Sequence, residues 1–166
     1  MIRAIVAVDQ KMGIAKHGGQ PWHIPDDEAY FSRQTKLYGG NVLMGSKTLA
    51  VMGEPLKGRN NFVLTRSQEH IDGVTVLHSL DKVNETCGED NVWSIGGASL
   101  YSQMMEAGLL DELYVTHIAA DFNCDKFFPA IPKAEYKLYQ QSEPKQQNGF
   151  TYTYAVYKKV AAHAAT

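Results

Sequence analysis

Short apolar runs alternate along the chain with segments of helical periodicity. The apolar runs predict strands at residues 2–8, 41–44, 61–65, 74–77, 92–95 and 113–118. The segments between them predict helices at residues 26–36, 47–52, 79–86 and 99–107. This alternation is typical of a largely parallel sheet that is covered by helices on both faces.

The pattern changes after residue 129, where two further strands follow one another without a helix between them. They are predicted at residues 135–141 and 150–160, with a polar turn at residues 144–149, and the second alternates bulky and polar side chains. This arrangement predicts an antiparallel hairpin. Residues 161–166 are small and lack a pattern, so we expect one domain over residues 1–160 and a frayed tail.

Composition argues against several classes of protein. The 166 residues are 44% hydrophobic and 20% charged, which is typical of a single globular domain. A net charge of −2 without a basic run argues against a nucleic-acid-binding surface. Apolar stretches of membrane-spanning length and a signal-peptide pattern are both missing, which predicts a cytoplasmic protein. The six His residues are scattered and match no metal-ligand spacing, so we expect no metal site. Cys87 and Cys124 are far apart in the sequence and match no such spacing either, so we expect free thiols.

An acidic segment at the start of the first predicted helix holds the first candidate chemistry. Pro25 suits the first helical position, and residues 26–28 then place acidic groups where the helix dipole favours them. Asp27, Tyr30 and Phe31 share one helical face, so the carboxylate risks burial. A buried carboxylate needs donors, such as those of a cationic or amide-like heterocycle. The alternative is an acidic helix cap whose rings simply pack in the core.

Two predicted strand-to-helix junctions, at residues 42–48 and 92–99, are marked by glycine. Backbone N–H groups at a helix N-terminus bind phosphate, and glycine permits its close approach. Two such junctions in one small domain suggest a ligand with a pyrophosphate, as in a dinucleotide. The alternative is that the glycines only turn the chain. Neither junction has a GxGxxG or Walker sequence, so neither identifies a standard Rossmann or P-loop nucleotide-binding domain.

Two arginines flank one predicted strand. Arg59 precedes it and Arg66 follows it, so they are expected at opposite ends of the sheet, where they could hold different anionic groups. Two solvated arginines are the alternative. The sequence has no GxSxG elbow, no cysteine with a plausible base and no paired acidic motif. One buried carboxylate beside a dinucleotide therefore favours chemistry carried by the cofactor, with hydride transfer as the leading candidate.

Six motifs occur in the order and spacing of one known family, at residues 7–14, 20–27, 44–45, 55–60, 95–97 and 114–118. Through them the chain resembles dihydrofolate reductase over essentially its whole length. The resemblance implies a three-layer α/β fold, with a central, mostly parallel eight-stranded sheet, an antiparallel C-terminal strand and flanking helices. It also implies NADPH-dependent reduction of 7,8-dihydrofolate to 5,6,7,8-tetrahydrofolate by hydride transfer, together with antifolate binding and a monomeric state.

The resemblance implies roles for residues on the substrate side. Asp27 is expected to bind the pterin amino group and ring nitrogen with support from Thr116, and a water near Trp22 is expected to protonate N5. Arg59 is expected to bind the α-carboxylate of the glutamate tail. The other implied substrate contacts are Ile5, Phe31, Met52, Leu56 and Ile95.

The resemblance also implies a set of NADPH contacts. Arg66 is the best candidate for the 2′-phosphate, and the Gly96–Gly97 peptide bond is expected to be cis. The implied contacts are Ala7, Ile14 and Tyr101 for the nicotinamide; Gly45, Ser46, Lys47, Thr48, Gly96, Gly97, Ala98, Ser99 and Leu100 for the pyrophosphate; and Leu64, Thr65, Arg66 and His78 for the adenosine end.

Three departures from the family pattern bear on specificity. Ser46 replaces a common arginine near the 2′-phosphate, so we expect a weaker preference for NADPH over NADH. Glu28 replaces an apolar residue and would repel the glutamate tail unless it turns to solvent or meets a cation. The resemblance implies a mobile loop before the first predicted helix that closes over the nicotinamide. Gln20 and the Gly18-Gly19 pair before it are expected to make this loop more flexible, so that its closure costs more entropy.

Two other functions stay open at this point. A related pteridine or riboflavin-pathway reductase of the same fold is one, but Asp27, Thr116 and Arg59 argue against it because they suit a pterin with a glutamate tail. A non-catalytic folate- or nucleotide-binding paralogue is the other, and Glu28 and Ser46 are the best arguments for it. Turnover would separate these alternatives from the reductase.

Overall fold

The computed structural model describes residues 1–87 and 91–160, and the predicted tail lies outside these residues. Its strands are β1 (Ile2–Val8), β2 (Gly13–Ala15), β3 (Asn41–Gly45), β4 (Asn60–Leu64), β5 (Thr75–Leu77), β6 (Val92–Ser94), β7 (Glu112–Ile118), β8 (Lys126–Phe127), β9 (Tyr136–Gln141), β10 (Lys145–Gln147) and β11 (Phe150–Lys159). Its helices are α1 (Pro25–Thr35), α2 (Ser46–Met52), α3 (Asp81–Cys87) and α4 (Ala98–Glu106), with a 3-10 turn at Leu37–Gly39.

One large sheet forms the centre of the fold. Its strands run in the order β5, β4, β3, β6, β1, β7 and β11, and the first six of these are parallel. The last, β11, is antiparallel to β7. Short β9 and β10 both pair with the outer edge of β11, each along a different half of it, and together occupy one strand position. The predicted sheet of eight strand positions, mostly parallel with an antiparallel C-terminal strand, is therefore confirmed.

Side chains that alternate along the central strands explain why helices cover both faces. Ile5, Met44 and Trp93 pack on one face in a core that α1 and α2 complete. Their neighbours in sequence point to the opposite face, where Leu43 packs in the core that α4 completes through Met104. Because both faces of these strands are buried, most of their residues are apolar, as in other parallel sheets.

The shortest elements differ from the prediction. The C-terminal hairpin is antiparallel as expected, but its polar turn contains the short strand β10. The small ribbon formed by β2 and β8 was missed, because strands of two or three residues are too short to show a periodic pattern. No helix in the described part of the chain is long and apolar enough to cross a membrane.

Candidate active site

A cleft of about 420 Å³ opens at the carboxyl ends of the parallel strands. Ligands bind at this edge of open α/β sheets. Its walls come from β1, β2, β7, α1, α2 and α4, together with the loop before α1 and the segment that follows β6. The residues that line it are Ile5, Val6, Ala7, Ile14, Ala15, Gly18, Gly19, Gln20, Asp27, Glu28, Tyr30, Phe31, Lys47, Thr48, Val51, Met52, Ile95, Gly97, Tyr101 and Thr116.

The carboxylate of Asp27 is hydrogen-bonded within this cleft. Thr116 Oγ1, on β7, donates to Asp27 Oδ1 at 2.7 Å. Pro25 begins α1 as expected, and this start places Asp27 in the first turn of the helix. Burial raises the pKa of Asp27, the negative charge of Glu28 adds to the shift, and the bond from Thr116 opposes it. The half-buried carboxylate is therefore a strong acceptor that can pair with donors of a bound heterocycle.

Apolar side chains form the wall beside Asp27. The predicted substrate contacts Ile5, Ile95, Phe31, Met52 and Leu56 pack in one cluster. Leu56 belongs to the cluster without lining the cleft. The structure thus brings the predicted apolar contacts together.

Arg59 lies outside the residues that line the cleft and bonds to its own chain. Its Nε donates to Thr35 Oγ1 at 3.0 Å, and its Nη1 donates to the carbonyl of Lys57 at 2.8 Å. Its Nη2 donates to both the carbonyl and the hydroxyl of Ser32, at 3.0 and 2.9 Å. Burial lowers the pKa of this half-buried guanidinium.

The two glycine-marked junctions meet on adjacent strands. Gly45 ends β3 and precedes α2, Gly97 precedes α4, and neither helix has a side-chain cap hydrogen bond. The amide of Gly45 donates to the carbonyl of Gly96 at 2.9 Å, which joins the junctions directly. The Gly96–Gly97 peptide bond is cis, as expected. Two helix N-termini therefore lie side by side, and their backbone amides suit an anionic group such as a pyrophosphate.

Glycine is needed at position 96 because of its backbone conformation and its closeness to Tyr101. A Cβ atom there would lie 3.0 Å from the ring of Tyr101, and the residue has a φ of +102°. The buried Tyr101 hydroxyl donates to the carbonyl of Ile5 at 2.7 Å, and burial raises the pKa of this hydroxyl. Tyr101 and Ile5 thus fix each other at the centre of the cleft.

The predicted adenosine contacts come together at the ends of β4 and β5, away from the cleft. The ring Nδ1 of His78 lies 2.9 Å from the carbonyl of Thr65, and its Nε2 lies 3.5 Å from Glu69 Oε2. Arg66, next to Thr65, is exposed. This places an exposed cationic side chain and an imidazole at one end of the sheet, with a nearby carboxylate that the sequence analysis did not consider.

The turn between β1 and β2 is held by a residue that the sequence analysis missed. The buried carboxylate of Asp9 accepts backbone hydrogen bonds from Lys11, Gly13 and Phe122 at 2.8 to 3.1 Å. The sequence did offer one signal: an Asp directly after a predicted strand. In an Asx turn, the side chain of such a residue accepts a hydrogen bond from the backbone amide two residues later. Trp22 is buried against Phe122, with ring centroids 5.2 Å apart, and its Nε1 has no hydrogen-bond partner among the described residues.

Asp9→Asn should lower the free energy of unfolding by about 2 kcal/mol, because one acceptor oxygen becomes a donor that faces a buried amide. Burial alone would raise the pKa of Asp9, but its backbone hydrogen bonds outweigh that effect and lower it. The stabilisation is therefore present above the unfolded pKa and lost as pH falls through the folded pKa. Urea denaturation at neutral and acidic pH measures this, with Asp72→Asn, the same change on a fully exposed side chain, as the control. Equal losses in both variants would contradict the prediction.

A mostly parallel sheet has strand ends that form one cleft, with a hydrogen-bonded carboxylate on one wall and two glycine-capped helices beside it. This arrangement is typical of a dinucleotide-dependent oxidoreductase. A family model for dihydrofolate reductase matches residues 1–159. The chain belongs to the dihydrofolate reductase family.

Known dihydrofolate reductases are similar to this chain over nearly its full length. The chain is 36% identical to dihydrofolate reductase of Bacillus subtilis over 163 residues, which cover 96% of this chain and 95% of that one. It is 34% identical to the Drosophila melanogaster enzyme over 174 residues, covering 93% and 96% of the two chains. The solved dihydrofolate reductase of Enterococcus faecalis, complexed with NADP(H) and RAB-propyl, is 28% identical, with a TM-score of 0.84 and 97% coverage of each chain.

Proposed function

We propose that this chain reduces 7,8-dihydrofolate to 5,6,7,8-tetrahydrofolate with NADPH. The observation that carries the proposal is the Asp27–Thr116 pair in the cleft, close to the glycine-capped starts of α2 and α4. Family membership supports the same reaction.

On the substrate side, Asp27 accepts hydrogen bonds from the amino group and ring nitrogen of the pterin, and Thr116 holds the carboxylate in place. Since burial raises the pKa of Asp27, a donor pair on the ligand stabilises its charged form. The negative charge then raises the basicity of the pterin ring, and a water near Trp22 supplies the proton to N5. Ile5, Phe31, Met52, Leu56 and Ile95 pack on the substrate, and the tail extends toward Arg59.

On the cofactor side, the residues fit NADPH. The starts of α2 and α4 offer backbone amides beside glycines, and a side chain at position 96 would meet Tyr101. When bound, NADPH supplies the hydride. The residues that hold it are Ala7, Ile14 and Tyr101 at the nicotinamide; Gly45, Ser46, Lys47, Thr48, Gly96, Gly97, Ala98, Ser99 and Leu100 at the pyrophosphate; and Leu64, Thr65, Arg66 and His78 at the adenosine end.

We further infer that the protein is a cytoplasmic monomer that binds antifolates, and that residues 1–160 form its single domain. One continuous sheet that begins with β1 and ends with β11 supports the single domain. The Enterococcus faecalis dihydrofolate reductase is complexed with NADP(H) and RAB-propyl, which supports the binding of small molecules of these kinds.

Absorbance of NADPH, followed with and without dihydrofolate, tests the proposed function. We expect dihydrofolate-dependent oxidation of NADPH, and the same assay with NADH gives the cofactor preference. Binding of both ligands without turnover would contradict the proposal and favour the non-catalytic paralogue.

A further inference from the structure

A second cavity, of about 350 Å³, lies between α1 and the C-terminal part of the sheet, next to the candidate active-site cleft. Its walls come from α1, β7, β9, β11 and the segment after β9, and most of the side chains that line it are Tyr, Gln and Ser, so it is polar enough to hold water. Tyr30 lines both this cavity and the cleft. Of the two spaces, Asp27 and Thr116 line the cleft and Tyr154 lines the second cavity. The side chain of Tyr30 therefore stands between the two.

Tyr154, on β11, completes the wall between the two spaces. Its ring stacks on the ring of Tyr30, with centroids 4.0 Å apart and planes inclined by 28°. Tyr154 lies directly opposite Thr116 in the ladder of β11 and β7, so its side chain points to the same face of the sheet as Thr116, which donates to Asp27. The backbone of Tyr154 is fixed from outside, because its amide donates to the Ser142 hydroxyl at 3.0 Å and its carbonyl accepts from the Ser142 amide at 2.8 Å. The two rings thus stand on the side of Asp27 that faces the second cavity.

The rings, and not the hydroxyls, make this wall. The Tyr154 hydroxyl lies 3.4 Å from the carbonyl of Asp26, which is longer than an ordinary O–H···O hydrogen bond. Burial raises the pKa of the Tyr30 hydroxyl to about 12, and burial also raises the pKa of Tyr154, so both phenols stay neutral near neutral pH. Two neutral, stacked rings form a barrier of low polarity between the carboxylate of Asp27 and the second cavity.

We propose that Tyr154 is a positioning residue for the reduction: its ring, stacked on Tyr30, keeps the water of the second cavity away from Asp27. The inference rests on the proposed function and concerns how this chain maintains the charge that acts on the pterin. Water beside a carboxylate screens its charge, whereas a dry wall of low polarity lets the charge act on a bound ligand more strongly. Loss of the Tyr154 ring should therefore weaken the effect of Asp27 on the pterin without removing a group that lines the cleft.

Carbon-13 NMR titration of the Asp27 carboxyl in the ligand-free protein tests the exclusion of water, with the signal assigned by its absence from Asp27→Asn. Burial raises the pKa of Asp27 in the unmodified protein. Tyr154→Val keeps a β-branched residue in the strand but removes the ring, so we expect the pKa of Asp27 to fall by about half a unit or more. Tyr154→Phe keeps the ring and should leave this pKa unchanged. Tyr139→Val makes the same change on a ring of β9 that is 64% exposed, and is the matched control.

The other ionisable groups around Asp27 do not account for such a fall. On the elements packed against it, among the described residues, they are Asp26, Glu28 and Tyr30 on α1, Tyr114 on β7, and Tyr152 and Tyr154 on β11. Burial raises the pKa of each of these tyrosines, so their hydroxyls are neutral where a carboxyl titrates. Tyr154→Val therefore removes no charge near Asp27, and a fall in the pKa of Asp27 reports the entry of water.

Steady-state kinetics of the same variants test the consequence for the reaction. In Tyr154→Val, kcat for dihydrofolate should fall about three- to tenfold, while KM changes less than about twofold because Tyr154 does not line the cleft. Tyr154→Phe and Tyr139→Val should both keep the kcat of the unmodified protein.

The proposal would be overturned by an unchanged pKa of Asp27 or an unchanged kcat in folded Tyr154→Val. An equal fall in Tyr154→Phe or in Tyr139→Val would overturn it too. Should Tyr154→Val not fold, Tyr154→Leu takes its place, with the same directions expected. Absence of turnover in the unmodified protein would contradict the proposed function, and the NMR titration, which needs no turnover, would still decide whether the Tyr154 ring keeps water from Asp27.

Discussion

Asp27→Asn should lower kcat/KM for dihydrofolate by about a hundred- to a thousandfold near neutral pH, since a positioned acid or base typically contributes that much. The amide keeps the shape of the side chain and can still bond to Thr116, which donates to the carboxylate at 2.7 Å. It cannot carry the negative charge that pairs with the pterin donors and raises the basicity of the ring. The defect should therefore lie mainly in the chemical step.

The same substitution should not destabilise the protein. Burial raises the pKa of Asp27, so the folded state binds its proton more tightly than the unfolded state does. Above the folded pKa the charged form lowers stability, and this cost disappears as pH falls. A neutral Asn removes the cost at neutral pH, so the variant should unfold at the same temperature as the parent or at a higher one.

Steady-state kinetics and thermal unfolding of the same preparation measure both effects. Asp26→Asn is the matched control, because it makes the same change one residue away on an exposed side chain that does not line the cleft. The control should keep nearly full activity. Near-normal turnover in Asp27→Asn, or an equal loss in the two variants, would contradict the role of Asp27.

The predictable part of the fold is the part that is buried on both faces. Strand β1 is apolar at every position except Arg3 because both of its faces are buried, and this pattern is visible without the structure. The ribbon of β2 and β8 depends instead on contacts between two loops that are more than a hundred residues apart. Local pattern carries no information about such pairing.

The candidate site likewise has features that follow from local spacing and features that depend on contacts between distant residues. The helical face shared by Asp27 and Phe31 follows from their spacing, and the phosphate-binding junctions follow from their glycines. Thr116 lies 89 residues from Asp27, so only the resemblance to a family indicated their contact. The hydrogen bonds from Arg59 to Ser32 depend on side-chain geometry that spacing does not determine. The specificity of the cleft is accordingly the least predictable part of the protein.

Arg66→Ala should raise the KM for NADPH about tenfold or more and change that for NADH less than about twofold, because a charge-assisted pair with a dianionic phosphate is lost. Arg66 is exposed at the end of β4 beside Thr65, where His78 lies 2.9 Å from the Thr65 carbonyl. The side chain of Ser46 carries no positive charge that could pair with the 2′-phosphate. Glu69, 3.5 Å from the His78 ring, reduces the positive field further. We therefore expect Arg66 to supply most of the positive charge that distinguishes the two cofactors.

Steady-state kinetics with both cofactors, at low and at moderate ionic strength, measure this effect. The NADPH-specific loss should be larger at low salt, since exposed charges are screened. Arg33→Ala, which removes an exposed arginine from α1, is the control for the change in net charge and should leave the cofactor ratio unaltered. Equal losses for NADPH and NADH in Arg66→Ala would instead assign the 2′-phosphate to Lys47 or His78. In that case the selectivity would come from the start of α2 or from the imidazole, and not from the end of β4.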